Sequence, residues 1–174
     1  MTLPVMQIVV MGVAGSGKST LAAVLAERLG CEMAEADTFH SPANVAKMSA
    51  EIPLNDEDRA PWLRAIAAWI AERDRASRSA VVTCSALKHA YRDVLRAASP
   101  KLFFLHLTGP RELIAERMQH RPGHYMPVSL LDSQFSTLEP LAPDERGIVL
   151  EVLRPPDALA TTALAALSQL VVPG

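Results

Sequence analysis

The chain has 174 residues, of which 17 are Lys or Arg and 19 are Asp or Glu, giving a formal net charge of −2. Its length predicts one domain, residues 1–174, and 49% apolar residues with balanced charge exclude a disordered chain and a basic nucleic-acid-binding domain. No apolar run approaches the roughly 20 residues that span a bilayer, and the first seven residues carry no basic cluster, so we expect a cytoplasmic protein without a membrane partner.

Short apolar runs alternate with longer amphipathic segments along the chain, and this alternation predicts an α/β fold. The strands are predicted to be parallel, because parallel strands need long crossover connections, and helices then cover both faces of a five-stranded sheet. Ligands of such sheets bind beyond the carboxyl ends of the strands. The predicted strands are residues 5–11, 31–36, 80–84, 102–107 and 148–152. The predicted helices are residues 18–29, a helix beginning near residue 58, and residues 88–98, 111–120 and 157–170.

Helix signals and cysteines refine this outline. Gly30 is placed where a C-terminal cap belongs, and Asp58 is placed to cap a helix whose first turn tolerates Pro61. Cys31 and Cys84 lack metal-ligand spacing and are predicted to be buried thiols. Residues 121–143 interrupt the pattern with four prolines and a short amphipathic segment at about residues 130–135, which we interpret as a lid.

The strongest motif lies between the first predicted strand and helix. The segment Gly12-Val-Ala-Gly-Ser-Gly-Lys18-Ser19 matches Gly-x-x-x-x-Gly-Lys-[Ser/Thr], in which glycines let backbone N–H groups point at phosphate oxygens. Lys18 would reach the β and γ phosphates and Ser19 would ligate magnesium. The motif therefore predicts binding of a nucleoside triphosphate. The residues expected to contact it are Gly12, Ala14, Gly15, Ser16, Gly17, Lys18, Ser19 and Thr20.

Two carboxylates follow the second predicted strand. Glu35 and Asp37 are two residues apart, so on an extended chain they would point the same way, toward the phosphate loop. Glu35 is predicted to hold the water shell of a magnesium ion. Asp37 is predicted to contribute to the metal site or to accept the proton of an acceptor hydroxyl.

Two pairs of cationic residues lie after the third and fourth predicted strands. Lys88 and Arg92 are four residues apart on one predicted helical face, where they could bind an anion. Arg117 and Arg121 end a helix where the predicted lid begins, a placement suited to binding the phosphoryl oxygens of ATP, with Arg121 as a catalytic residue.

Four further motifs lie beyond the phosphate loop: Asp37-x-x-His40, Pro53-Leu-Asn55-Asp-x-Asp58-Arg59-x-Pro61-Trp62-Leu63, Cys84-Ser85-Ala-Leu-Lys88-x-x-Tyr91-Arg92-Asp93, and Gly123-His124 followed by Gln134-Phe135-x-Thr137-Leu138-Glu139. With these motifs the sequence resembles the gluconate kinase family of small P-loop kinases, relatives of shikimate and adenylate kinases, over about residues 5–155. The resemblance implies ATP-dependent phosphorylation of D-gluconate to 6-phosphogluconate on a central parallel sheet with a lid, commonly in a homodimer. That family often has Asp-Gly-Asp where this chain has Glu35-Ala36-Asp37, which keeps both carboxylates.

A gluconate site needs a few cations beside hydrogen-bonding groups, and the acceptor-binding segment is predicted at about residues 38–62. A nucleoside monophosphate would need aromatic stacking, for which this segment offers few residues. Two alternatives stay open, namely a kinase of another hydroxy-acid such as shikimate and a nucleotide-binding switch without a phosphoryl acceptor. The predicted acceptor-binding residues are Asp37, His40, Arg59, Lys88, Arg92 and Gln134.

Overall fold

The computed structural model describes residues 3–120 and 128–170 and contains one five-stranded sheet. Its strands are β1 (Gln7–Met11), β2 (Glu32–Glu35), β3 (Ala80–Thr83), β4 (Leu102–Thr108) and β5 (Gly147–Glu151). All neighbouring strands are parallel, in the order β2-β3-β1-β4-β5, which confirms the predicted α/β class. Because β1 is central, the loop that follows it lies between the carboxyl ends of β3 and β4.

Seven α-helices and one short 3-10 helix (Ala36–Phe39) accompany the sheet in the described ranges. The α-helices are α1 (Lys18–Leu29), α2 (Pro42–Ser49), α3 (Asp56–Arg75), α4 (His89–Arg96), α5 (Arg111–Gln119), α6 (Val128–Thr137) and α7 (Pro156–Gln169). Among the described residues, no helix combines the length and apolar character that a membrane span needs.

Successive side chains of β1 point to opposite faces of the sheet and pack against the helices on each face. Ile8 and Val10 pack into the core cluster that includes residues of α1 and α7. Val9 and Met11 are fully buried in the opposite cluster, which includes residues of α3 and α4. Each such side chain stabilises the fold by about 1.5–3 kcal/mol relative to leaving it exposed. Burial on both faces therefore fixes the strand that leads into the phosphate loop.

The beginning of α3 differs from the sequence prediction. Asn55, rather than Asp58, caps the helix, because the Asn55 side chain accepts a hydrogen bond from the Asp58 backbone N–H at 2.7 Å. The Asp58 carboxylate in turn accepts the Asn55 N–H at 3.0 Å, so the two residues form a capping box. Pro61 consequently lies inside the helix. It is beyond the first turn, where a proline costs little because the backbone N–H groups there have no intrahelical partner.

The segment before α3 contains structure that the hydrophobic pattern did not predict. In α2, Ser41 is the N-cap and accepts the Asn44 backbone N–H at 3.1 Å, and Pro42 is the first helical residue. Both are ordinary signals of a helix start. The predicted cap at Gly30 is confirmed, since it ends α1 in the left-handed conformation, with φ +63°. Cys84 is buried as predicted, whereas Cys31 is only half-buried.

Candidate active site

The phosphate loop joins the end of β1 to the first turn of α1, as the motif predicts. Its glycines are needed for space as well as for backbone freedom. A Cβ at Gly12, which has φ +149°, would lie 2.7 Å from the Leu107 carbonyl oxygen. A Cβ at Gly15, with φ +77°, would lie 2.3 Å from Met118 Cγ. The loop is therefore packed tightly between β4 and α5, and larger residues would displace it.

Polar groups of this loop are positioned for a ligand with many acceptor oxygens. The Lys18 ammonium group donates to the carbonyl oxygens of Gly12, at 3.1 Å, and of Val13, at 3.0 Å, so it folds over the loop. The Ser16 hydroxyl is buried without a hydrogen-bond partner in the described part of the chain. Ser19 and Thr20 continue into the first turn of α1, whose N-terminal dipole favours an anion.

A cavity of about 440 Å³ opens beside the phosphate loop. Arg117 of α5 lies on its wall and donates to the Val152 carbonyl oxygen at 3.0 Å. The cavity combines backbone of the loop, two arginines and apolar side chains, which is the mixture typical of small-molecule sites. Its lining includes Gly15, Ser16, Gly17, Thr20, Leu107, Arg117, Leu153, Arg154 and Leu159.

The two carboxylates after β2 occupy different environments. The Glu35 carboxylate accepts the Thr83 hydroxyl of β3 at 2.5 Å. The chain then turns into the 3-10 helix, so Asp37 is not on an extended chain, and the extended geometry from which the common direction was predicted is wrong. The Asp37 side chain is exposed. Both carboxylates nevertheless follow β2 at the edge of the sheet that carries the phosphate loop.

The Cys84 thiol lies directly after β3 and is buried. Burial raises its pKa to about 12, while a hydrogen bond from the Ala86 backbone and the positive charge of Lys18 lower it, and the negative charge of Asp37 adds a smaller upward effect. An influence of both Lys18 and Asp37 on this thiol is expected for residues that follow neighbouring parallel strands at their carboxyl ends.

His40 is half-buried and lies against the buried core residue Trp62. Its ring stacks on Trp62 with 4.5 Å between centroids, and its Nδ1 accepts the Asn44 amide at 3.3 Å. Desolvation lowers the pKa of His40, Asp37 opposes this shift, and Arg59 adds to it. The lowered pKa favours the neutral form of His40, whose Nδ1 can then accept the hydrogen bond from Asn44.

Four residues, which we call the Asp56 cluster, surround the N-terminus of α3: Asp56, Arg59, Lys88 and Tyr91. Tyr91 OH donates to Asp56 Oδ1 at 2.5 Å and accepts from Arg59 Nη1 at 3.1 Å. The Lys88 ammonium nitrogen is 3.2 Å from Asp56 Oδ1, and the Asp56 and Arg59 side chains approach to 3.9 Å. Arg59 and Lys88 lie together, as predicted for acceptor binding, but sequence reasoning gave no role to Asp56 or Tyr91.

Arg92 is a correction to the predicted acceptor site. It is fully buried, and its guanidinium group donates to both carboxylate oxygens of Glu145, at 2.5 and 3.0 Å. Its remaining contacts are the carbonyl oxygens of Ala86, Leu87 and Pro140. Spacing on a helix reports a shared face but not whether that face is buried. With its donors occupied, Arg92 supports the loop before α4 rather than contacting an acceptor.

The predicted lid is described only in part. Arg121 and residues 122–127 lie outside the described residues. The amphipathic segment predicted at about residues 130–135 is part of α6, whose Leu131 packs with Val13 and Ile114. The Gln134 side-chain oxygen accepts the Ala14 N–H of the phosphate loop at 2.6 Å. Gln134, which was predicted to bind the acceptor, is thus in direct contact with the phosphate-binding segment.

The chain is similar to known proteins in sequence and in fold. Residues 8–141 match the model of a family described as an AAA domain. A gluconokinase from Gluconobacter oxydans is 47% identical over 152 residues, which cover 87% of this chain and 85% of that protein. A solved gluconokinase from Sinorhizobium meliloti has a TM-score of 0.87 and 46% identity, with 98% of this chain and 95% of that chain covered. A solved sugar kinase from Janibacter, unliganded, has a TM-score of 0.90 and 56% identity, with 95% of each chain covered.

A parallel sheet with a phosphate loop after its central strand, and relatives of this kind, define a P-loop kinase. Within that class, this chain is 47% identical to a protein that it matches over most of its length. The chain belongs to the gluconokinase family.

Proposed function

We propose that this protein transfers the γ-phosphoryl group of ATP to the primary hydroxyl of D-gluconate, giving ADP and 6-phospho-D-gluconate. The observation that carries the proposal is the presence of the phosphate loop and the Asp56 cluster at the same edge of the sheet, in a chain of the gluconokinase family. The loop supplies donors for ATP, and Arg59 and Lys88 supply positive charge for a sugar-acid carboxylate.

The phosphate loop would hold ATP by charge and backbone donors. Lys18 is proposed to stabilise the charge that develops on the transferring phosphoryl group. Arg117, on the wall of the cavity, is proposed to contact phosphate oxygens, and Arg121 is proposed to do so from the lid. Closure of the predicted lid, residues 121–143, over the bound ligands would exclude water from the reacting groups.

Magnesium is proposed as the metal, because Ser19, Glu35 and Asp37 offer hard oxygen ligands at one edge of the sheet, beside a loop suited to phosphates. When bound, the ion would neutralise phosphate charge. The Glu35 carboxylate accepts a hydrogen bond from the Thr83 hydroxyl, and this bond orients the carboxylate. Asp37 is exposed and is proposed to orient the gluconate hydroxyl and to receive its proton.

A coupled assay of ADP release tests the proposal. ATP consumption should rise sharply with D-gluconate and much less with shikimate, other sugar acids or nucleoside monophosphates. A stronger response to shikimate would favour the alternative hydroxy-acid kinase. Slow hydrolysis unaffected by every acceptor would favour a nucleotide switch and overturn the proposal. A homodimer and a cytoplasmic location remain predictions from the sequence.

A further inference from the structure

The Asp56 cluster has a charge balance that the two predicted cations alone would not give. Arg59 and Lys88 each contribute one positive charge, and Asp56 contributes one negative charge within 4 Å of both. Tyr91 fixes this carboxylate, because its hydroxyl donates to Asp56 while it accepts from Arg59. The cluster therefore presents a net charge of about +1, rather than +2, to a ligand.

The first turn of α3 strengthens the effect of this carboxylate. A helix N-terminus ordinarily favours anions, but the first turn of α3 carries Asp56, Glu57 and Asp58. Asp58 is neutralised by Lys47, which donates to both its carboxylate oxygens at 2.9 Å. The Glu57 side chain makes no hydrogen bond or ion pair with the described part of the chain, and Glu57 is exposed. Asp56 is thus the carboxylate of this turn that faces Arg59 and Lys88.

We propose that Asp56 selects the acceptor by charge, admitting a monoanionic carboxylate and disfavouring a dianionic phosphate in the same position. The inference rests on the proposed function and adds a specificity-determining residue to it. Gluconate carries one negative charge, which the net charge of the cluster matches. A phosphate monoester is close to a dianion above pH 7, since its second pKa is about 6. Bringing the second negative charge of a phosphate group beside the fixed Asp56 carboxylate is unfavourable. Such like-charge contacts are a general source of specificity.

Asp56 is ionised at the pH where the enzyme would work. Its pKa is lowered, first by the hydrogen bond from Tyr91 and then by the hydrogen bond from Lys88. The same contacts leave Lys88 charged, since its pKa is raised mainly by the hydrogen bond to Asp56.

The test compares three ligands that differ in charge at one end. D-glucitol is neutral, D-gluconate carries a carboxylate there, and D-glucitol 1-phosphate carries a dianionic phosphate in the carboxylate's place. Their dissociation constants are measured by calorimetry at pH 8 with a non-hydrolysable ATP analogue, for the wild type, Asp56→Asn and Glu57→Gln. Glu57→Gln is the matched control, because it removes the same charge from the same helical turn without touching the cluster.

The ratio compared is the dissociation constant of glucitol 1-phosphate divided by that of gluconate. Asp56→Asn should lower this ratio by about fivefold, the size expected for one partly exposed charge contact, because the phosphate is then disfavoured less. Glu57→Gln should change this ratio by less than about twofold, because a distant exposed charge is screened. Glucitol reports any loss of hydrogen bonds to hydroxyl groups, which would weaken all three ligands alike.

An unchanged ratio in Asp56→Asn, or an equal change in the two variants, would overturn the role of Asp56 even if the wild type phosphorylates gluconate at a normal rate. Conversely, a wild type that turns over no gluconate while the ratio still shifts in Asp56→Asn alone would overturn the proposed function and leave the charge selection supported. Unchanged affinity for the ATP analogue in both variants verifies that the fold and the phosphate loop are intact.

Discussion

The phosphate loop and the Asp56 cluster lie at the same edge of the sheet but are built in different ways. The loop is one contiguous segment whose backbone donors and glycines are set by local chain geometry. The cluster draws its side chains from the start of α3 and from α4 and the residue before it, so its geometry depends on how two helices pack. Changes in the loop should therefore affect phosphoryl transfer directly. Changes around the cluster should act on acceptor affinity or, where its support is buried, on stability.

The largest effect is expected from Lys18→Ala in the phosphate loop. Loss of the ammonium group removes charge stabilisation during transfer, so kcat/KM should fall by about a thousandfold or more. Steady-state kinetics with ATP and gluconate measures this, and circular dichroism reports the fold. The control Lys101→Ala removes a lysine that is paired with Asp74 outside the candidate site and should retain activity. Comparable losses in both variants would contradict a specific role for Lys18.

The next effect concerns the buried support of the cluster. Arg92→Met leaves the Glu145 carboxylate buried without its partner, so the free energy of unfolding should fall by about 3–5 kcal/mol. Urea denaturation measures the change. The double variant Arg92→Met with Glu145→Leu should recover much of the loss, because no unpaired charge remains. Normal stability with a raised KM for gluconate would instead restore the sequence-based role of Arg92 as an acceptor residue.

A smaller effect is expected from Asp37→Asn. The amide keeps the shape of the side chain but cannot accept the proton of the acceptor hydroxyl, so kcat should fall by about a hundredfold with ATP binding nearly unchanged. Glu35→Gln is the comparison, since its effect should depend on magnesium concentration. Recovery of full turnover by Asp37→Asn at high magnesium would make Asp37 a metal-shell residue.

The smallest effect is expected from Lys88→Met. Loss of one charge-assisted contact to the acceptor carboxylate should raise KM for gluconate by about tenfold while leaving KM for ATP unchanged. Arg96→Met removes a positive charge from the last turn of α4, where it pairs with Asp93 and Asp144, and should leave both constants unchanged. If KM for ATP alone moves in Lys88→Met, Lys88 belongs to the nucleotide side of the site.

The sequence predicted the phosphate loop well because that information is local. Its glycines, Lys18 and the following helix lie within one short segment, and the buried runs indicate a parallel sheet. Arg92 could not be assigned in this way, because its partner Glu145 is 53 residues away and helical spacing does not say which face is covered. Asp56 was missed because the role proposed for it depends on Tyr91 and Lys88, which approach it only in the folded chain.

The buried thiol of Cys84 has a practical consequence for labelling the protein. Burial raises its pKa to about 12 and also shields it from solvent, so alkylating reagents should react with it very slowly at pH 8. Cys31 is half-buried and precedes β2, at the amino end of the strand, whereas the candidate site lies beyond the carboxyl ends. Burial and the neighbouring Glu32 carboxylate also raise the pKa of Cys31, so its labelling calls for alkaline pH. Because Cys84 is the more deeply buried thiol, Cys31 is expected to react first, at a position away from the reacting groups.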